Sequence, residues 1–289
     1  MSALEPVDGF ARPADVPSEA AQRRAWNRVL PHRALEVLLP VAIFGLALAG
    51  WEAVVRIDEI PPYILPAPSV IGATLVKDWP ILSGSLLVTL RVTLTALALA
   101  TVGSVALAVL FAQSKWIERS FFPFAVVMQV TPVVSIAPLL LIYLEPATAV
   151  LVCAFLVAFF PILSNTTLGL ASADHGLIEL LDLYGASRWQ QFLYLRLPAA
   201  MPYFLGGLRI GGGLALIGAI VAEIAAGSAG KGSGLAFRIV EAGFRLNIPR
   251  MFAALALISF TGILIYMAFT VLTHLLLHRW HDSARQRGQ

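Results

Sequence analysis

Charge is the scarcest ingredient of this sequence. Asp, Glu, Lys and Arg together supply 13% of its 289 residues, about half the share found in soluble domains. So few charges cannot solvate a chain of this length, which excludes an ordinary water-soluble fold. Cysteine is nearly absent: the single Cys153 lies inside an apolar run and leaves no disulfide framework to build on. The basic excess is small as well, +3 in net charge. Its Lys and Arg residues stand beside apolar runs rather than along one soluble face, which excludes a nucleic-acid surface. Paired carboxylates, a nucleophile triad and a metal-ligating cluster are all missing, so no enzyme, cofactor or metal site is expected. The run GSAGKGSG at 227–234 has the look of a phosphate loop, but Ala225 and Gly232 fill two places that such a loop requires for Gly and Ser or Thr. His274, His278 and His281 close an apolar run beside Arg279 and Trp280, and read as interfacial anchors rather than metal ligands.

What is present is apolar. Hydrophobic residues make up 58% of the chain, and the mean hydropathy is +0.82. Six stretches, 34–55, 86–112, 122–143, 147–170, 203–226 and 251–278, are long enough to cross a hydrocarbon layer of about 30 Å. The expected fold is all-α: a polytopic membrane protein whose six transmembrane helices occupy 34–278, between a polar leader, 1–33, and a basic tail, 279–289. The leader contains proline and acidic residues and no apolar core, so it does not read as a signal peptide. With the N-terminus inside, twelve Lys and Arg residues fall in inside segments and six in outside ones, which puts both termini in the cytoplasm. Trp26, Trp51, Trp79, Trp116 and Trp280 sit at or near span ends, where an indole prefers the lipid headgroup zone. No internal repeat is visible. A six-span unit without a second half is an incomplete pore, so a second copy of the chain is expected.

The segment 171–202, between the fourth and fifth stretches, is polar, charged and marked by proline. Leu177, Leu180, Leu181 and Tyr184 fall at i, i+3, i+4 and i+7, one apolar stripe on a short helix with Asp174 as N-cap and Gly185 at its end. Ser187 opens a second helix with Gln190 at the capping-box position, and this helix is expected to stop before Pro198. Burying such a stripe contributes about 1.5–3 kcal/mol for each side chain fully covered. The cover is either a groove in a partner or the surface of the lipid.

These residues carry a resemblance. Glu179-Leu180-Leu181, three residues, Gly185, nine residues and then Leu195-Arg196-Leu197-Pro198 resemble, in spacing throughout, the EAA loop of ABC-importer permeases. GASRWQQF and LPAAMPYFLGGLRI are similar to the form seen in nitrate, sulfonate and taurine permeases. PAPSVI at 66–71, APLL at 137–140, FFPILSNT at 159–166 and Glu223 extend the likeness over residues 60–280. Leu180 and Leu181 depart from the usual Ala pair, and YLEPATA at 143–149 stands where relatives carry a Gly-containing turn. The resemblance implies a type I importer permease whose first short helix is a coupling helix docked on a cytoplasmic ABC ATPase dimer. Leu177, Glu179, Leu180, Leu181, Tyr184, Gly185, Ala186 and Ser187 would form the ATPase contact. It also implies an external substrate-binding protein, a second permease copy, and a small solute such as a nitrate-, sulfonate- or taurine-like anion or a vitamin precursor. The rival reading is a stand-alone ion-coupled transporter, which would have to rely on Arg91, Arg209 and Glu223.

Polar residues within the spans are the candidates for the translocation pathway. Arg209 and Glu223 are 14 residues apart on one span and share a face about 21 Å apart, where each is either a pathway residue or a structural ion-pair partner. Gln129, Thr131 and Ser135 in the third span and Asn165, with Thr166 and Thr167, in the fourth lie where Pro132 and Pro161 kink their helices, and the competing reading for them is hydrogen bonding between helices without contact to a solute. Gly206, Gly207, Gly211, Gly212 and Gly213 crowd the fifth span, and the Gly207–Gly211 pair predicts a close helix contact.

Overall fold

A computed structural model of the chain describes residues 30–227 and 232–277, with side chains from residue 38 onward. Most of the expected leader, the basic tail, His278, His281 and the centre of the 227–234 run lie outside the described residues. Among the described residues every regular element is a helix. That outcome follows from the apolar sequence, because only a helix satisfies its backbone polar groups without water or a neighbour.

The chain divides into two units, 1–59 and 60–289. The first contains α1 (Leu30–Ile57), with Arg56 paired to Glu52 one turn away at 2.6 Å. The second unit contains α2 (Pro68–Lys77), α3 (Trp79–Gln113), α4 (Lys115–Val130), α5 (Val133–Tyr143), α6 (Pro146–Ala171), α7 (His175–Leu183), α8 (Arg188–Gln191), a π-helical turn (Phe192–Arg196), α9 (Leu197–Ala226), α10 (Leu235–Phe244) and α11 (Ile248–Leu277). Helix α9 is central: it lies along α6 over most of its length and also touches α3, α10 and α11.

The α6–α9 contact rests on missing side chains. A Cβ at Gly207 would come within 2.8 Å of the Asn165 Cβ and 3.1 Å of the Pro161 carbonyl. One at Gly218 would come within 2.9 Å of the Ala154 Cα. Gly211 meets Ile162 at 2.8 Å in the same way, and Gly169, on α6, meets the Ala200 backbone at 2.9 Å. The expected Gly207–Gly211 contact is therefore one part of a longer seam. Between the glycines, Ala154, Ala158, Ala215 and Ala219 are wholly buried. A second link ties α3 to α6, where Ser104 Oγ donates to the Phe159 carbonyl at 2.7 Å.

Two expectations about the spans need correction. The third stretch is not one kinked helix: α4 and α5 meet at an angle of 96°. Thr131 (φ −69°, ψ 123°) and Pro132 (φ −65°, ψ 119°) are both extended there, as expected when a proline drives its predecessor out of the helical region. With 16 and 11 residues, these helices are about 24 and 16 Å long, and neither alone crosses the layer. Nor does the second short helix stop before Pro198. Residues 188–226 form one helical run of 39 residues. The π-helical turn makes this possible: Leu197 N–H donates to the Phe192 carbonyl, five residues back. The widened turn loosens the point at which the Pro198 ring would meet the carbonyl four residues earlier.

The glycine seam yields a stability prediction. Gly218→Ala should destabilise the protein by about 1–3 kcal/mol, since the new methyl faces backbone that cannot yield. Gly84→Ala, on α3 with open space around its Cβ position, should be neutral or stabilising by up to about 1 kcal/mol. Thermal unfolding of the purified variants measures both. Equal melting temperatures for the two would show that the seam is not a close contact.

Candidate functional site

At one end of α9 stands an elbow of two short helices. Asp174 opens α7 by accepting from the N–H groups of Gly176 at 2.7 Å and Leu177 at 3.3 Å. The helix closes in a Schellman arrangement: Ala186 N–H donates to the Leu181 carbonyl and Gly185 N–H to that of Asp182, both at 2.9 Å. Gly185 holds φ +70°, the left-handed conformation that glycine adopts without penalty. Ser187 and Gln190 then form a full capping box, each side chain meeting the other's backbone N–H. Gln191 clamps the pair: its Nε2 donates to Asp182 Oδ1 at 2.5 Å and to the Ala186 carbonyl at 3.4 Å. Trp189 stacks on Phe192 with ring centres 5.5 Å apart.

The elbow presents Leu177, Leu180, Leu183 and Tyr184 outward, Leu183 and Tyr184 at 85% and 83% exposure. Glu179 and Ser187 are exposed beside them. Leu181, expected in this stripe, is half-buried toward the bundle together with Ile178, and Ala186 is likewise half-buried at the bend. Leu183 takes the place expected of Leu181.

At the opposite end of α9, a closed polar cluster plugs α10 into the bundle. The Glu223 carboxylate accepts from Thr89 Oγ1 on α3 at 2.8 Å and from the Ala236 N–H at 3.1 Å. Thr89 Oγ1 in turn accepts from the Leu235 N–H at 2.9 Å. The first two amides of α10 are thus capped by side chains from two other helices, a task that Gly234, its own N-cap residue, cannot perform. Gly234 also lies so close to the Glu223 carboxylate that a Cβ there would overlap it. Farther along α10, Arg238 donates to Ser85 Oγ at 2.9 Å and pairs with Glu241 at 2.7 Å. Arg245 reaches Glu241 from the other side at 2.9 Å. The Arg238 hydrogen bond is the chief cause that holds the Glu241 carboxyl below its usual range. Beyond them Phe244 and Leu246 are exposed, Leu246 at φ +53°, a region that a leucine rarely occupies. Arg250 of α11 and Asp78, next to α3, are paired at 2.6 Å.

Between the two ends, α9 leaves one stripe open. Tyr203, Ile210, Ile217 and Ile224 are exposed along it, and Gly206 and Gly213 have nothing within 4 Å of their Cβ positions. The spacing alternates by threes and fours, which traces a straight seam on a helix. Arg209 and Glu223, expected on a pathway face, are both off this stripe. Arg209 is half-buried with its guanidinium 5.5 Å from the Tyr266 ring centre, and Glu223 is enclosed. Gln129 and Ser135 are exposed on either side of the α4–α5 break. Thr131 Oγ1 donates to the Val127 carbonyl at 2.7 Å, and Asn165 Nδ2 to that of Pro161 at 2.7 Å. These hydrogen bonds stay within single helices and do not join the candidates into one site.

Sequence reasoning missed Thr89, Gly234 and the Asp182–Gln191 clamp. Thr89 and Glu223 are 134 residues apart, and no local pattern relates them. The clamp is nine residues long and had a partial signal, the polar positions on the inner sides of two helices already expected to bend toward each other.

Residues 80–283 match the family described as "Binding-protein-dependent transport system inner membrane component". The chain is 34% identical over 251 residues to the riboflavin transport system permease protein RibX of Chloroflexus aurantiacus, covering 85% of this chain and 90% of the relative. It is 31% identical over 247 residues to the formylaminopyrimidine transport permease protein ThiX of Halalkalibacterium halodurans, covering 85% and 97%. The putative aliphatic sulfonates transport permease protein SsuC of Bacillus subtilis is 28% identical over 253 residues, covering 86% and 87%. A crystal structure of an amino acid ABC transporter with histidines shares the fold, with a TM-score of 0.55 and 22% identity over 72% of this chain and 97% of that one.

The plug makes a coupled prediction. Glu223→Ala should cost about 1–3 kcal/mol by stranding the Thr89 hydroxyl and the Ala236 amide. Gly234→Ala should cost about as much through overlap with the carboxylate. The double variant should lose less than the sum, because the added methyl enters the space that the carboxylate has left. Unfolding midpoints for the four proteins measure the coupling, and strict additivity would contradict the contact.

Proposed function

The chain belongs to the binding-protein-dependent transport system inner membrane components, and from that membership we propose how its parts divide the work. It is the membrane-spanning permease subunit of an ABC importer, a multi-pass inner-membrane protein in a family of transport proteins rather than enzymes. Helix α7 is its coupling helix: Leu177, Leu180, Leu183 and Tyr184 enter a groove in a cytoplasmic ATPase subunit, with Glu179 and Ser187 at the rim. The observation that carries this reading is the elbow itself. An apolar stripe is fixed by an N-cap, a left-handed Gly185 and a side-chain clamp, and the clamped turn joins it to the 39-residue helical run that reaches the α10 plug. Movement of the ATPase pair therefore acts on a stiff lever rather than on a loose loop.

The orientation that puts α7 in the cytoplasm puts α10 outside, where exposed Phe244 and Leu246 offer the binding protein an apolar contact. The open seam of α9, with Tyr203, Ile210, Ile217 and Ile224, faces the pathway and the second copy of the chain, and Gln129, Ser135 and the α4–α5 break lie along the same route. Arg209 and Glu223 hold that route in shape through Tyr266 and through α10. The seam carries no cation, which favours a neutral heterocyclic solute of the kind named for RibX and ThiX over the anions named for the sulfonate relatives. The chain supplies no catalytic residue of its own, and ATP is hydrolysed by the partner.

Two measurements test this division. In proteoliposomes holding only this chain, an imposed proton or sodium gradient should drive no saturable uptake, and uptake should appear when the ATPase, the binding protein and ATP are added. Gradient-driven uptake by the chain alone would support a stand-alone carrier instead. For orientation, His175→Cys in a Cys153→Ser background leaves the Asp174 cap in place. That thiol should react with a membrane-impermeant reagent in inside-out vesicles and stay unlabelled in intact cells. Labelling in intact cells would reverse the topology and remove α7 from the ATPase.

A further inference from the structure

Behind the elbow, on the side turned away from the exposed stripe, α7, α8 and the π-helical turn enclose a recess of about 500 Å³ against the α3–α4 turn. Three cations line it: Lys115 from the start of α4, Arg188 from α8 and Arg196 from the π-helical turn. None of them forms an ion pair among the described residues. Among the described residues the one acidic group on this wall is Asp182, whose Oδ1 is already taken by Gln191. Among the described residues the recess therefore holds two positive charges in excess. Free guanidinium groups crowded together repel one another and gain most from an anion that can accept several hydrogen bonds at once.

A second, smaller recess adjoins the first and shares Lys115 and Arg196 with it. Its walls are largely apolar, with Phe111 and Leu170, and Glu118 is its single acid. Thr167 also lines it, and the Thr167 hydroxyl is buried with no hydrogen-bond partner. Just outside, α4 exposes Trp116, Phe121 and Phe124, the aromatic surface typical of the zone where lipid headgroups meet acyl chains.

We propose that Lys115, Arg188 and Arg196 form a binding site for the phosphate of an anionic phospholipid, with the headgroup in the larger recess and the start of an acyl chain along the apolar cleft. A basic pocket between helices at the headgroup level is the form that such recognition takes. Charge complementarity, the apolar continuation of the cleft and the aromatic rim together select a lipid over a soluble anion, which would have no use for the last two. They also select it over an acidic segment of a partner protein, because the recess is lined by the start of α4 and by Ile178 and Asp182 of α7, and not by the outward Leu177 and Tyr184. A lipid seated here would brace the elbow from behind.

The test uses the full chain purified with its ATPase partner, delipidated and titrated with phosphatidylglycerol or phosphatidylcholine, the retained lipid being counted by native mass spectrometry. Phosphatidylglycerol should be retained in preference to phosphatidylcholine. Lys115→Gln/Arg188→Gln/Arg196→Gln should lower its affinity at least about tenfold, while Arg245→Gln, a cation at the other end of the bundle, should leave it unchanged. Inorganic phosphate at millimolar concentration should not displace the lipid. Displacement by phosphate would reassign the recess to a free phosphate-like anion. Unchanged retention by the triple variant would overturn the site, and loss of the ATPase with retention intact would make the recess a docking surface for an acidic partner segment. Should the triple variant not remain monodisperse, Lys115→Gln alone, at an exposed position, carries the same comparison. The readout is bound lipid and not uptake, so the result stands or falls apart from the transport reading.

Discussion

The close approach of α6 and α9 is the constraint on which the rest of the structure depends. Lipid offers helices no hydrophobic reward for associating, because hydrocarbon tails are as apolar as leucine. Association then rests on contact density, and Gly207, Gly211, Gly218 and Gly169 supply it by letting backbone meet backbone and Cβ at van der Waals distance. With α9 committed to α6 on this side and to α11 at Gly212, a third edge is left as an open seam of Tyr203, Ile210, Ile217 and Ile224. The same commitment sets the distance between the elbow and the α10 plug, which stand at the two ends of one helix.

Those ends are built on opposite principles. The elbow is satisfied locally, by Asp174, Gly185, Ser187 and Gln191, all within 18 residues of sequence. Its internal geometry is therefore set without hydrogen bonds from the other helices of the bundle. The plug is satisfied at long range, by Thr89 and Glu223 acting as caps for a helix that neither belongs to. Disengaging α10 exposes two amides and a carboxylate together, so that contact is either made or broken as a whole. One continuous helical run thus connects a self-contained elbow to an all-or-none plug.

The breaks in helical regularity have the same logic. Proline acts differently at Pro132 and Pro198 although both removed an amide donor. At Pro132 no widened turn relieves the ring, and the chain bends by 96°. At Pro198 the π-helical turn relieves it, and the helix runs through. The sequence signal is alike in the two places. The difference lies in what surrounds them: Phe192 is buried in the bundle and Gln191 is clamped to Asp182, whereas Gln129, Val130 and Ser135 are exposed.

The sequence by itself determined the class of fold, the elbow and the family resemblance, because each rests on interactions within a few turns. Apolar length decides that a segment is a helix, and the Asp174 cap, the Ser187–Gln190 box and the φ > 0 glycine at 185 are short-range patterns that read directly from residue order. Tertiary structure alone decided that Leu183 and not Leu181 faces outward, since a stripe at helical spacing leaves open which edge of it turns toward the bundle. It alone decided the role of Glu223. A carboxylate in an apolar helix announces that it needs partners, but whether they are water, solute or another helix depends on what lies across the interface. Here the answer was Thr89, 134 residues away, and the start of α10, brought together by packing that no local pattern encodes.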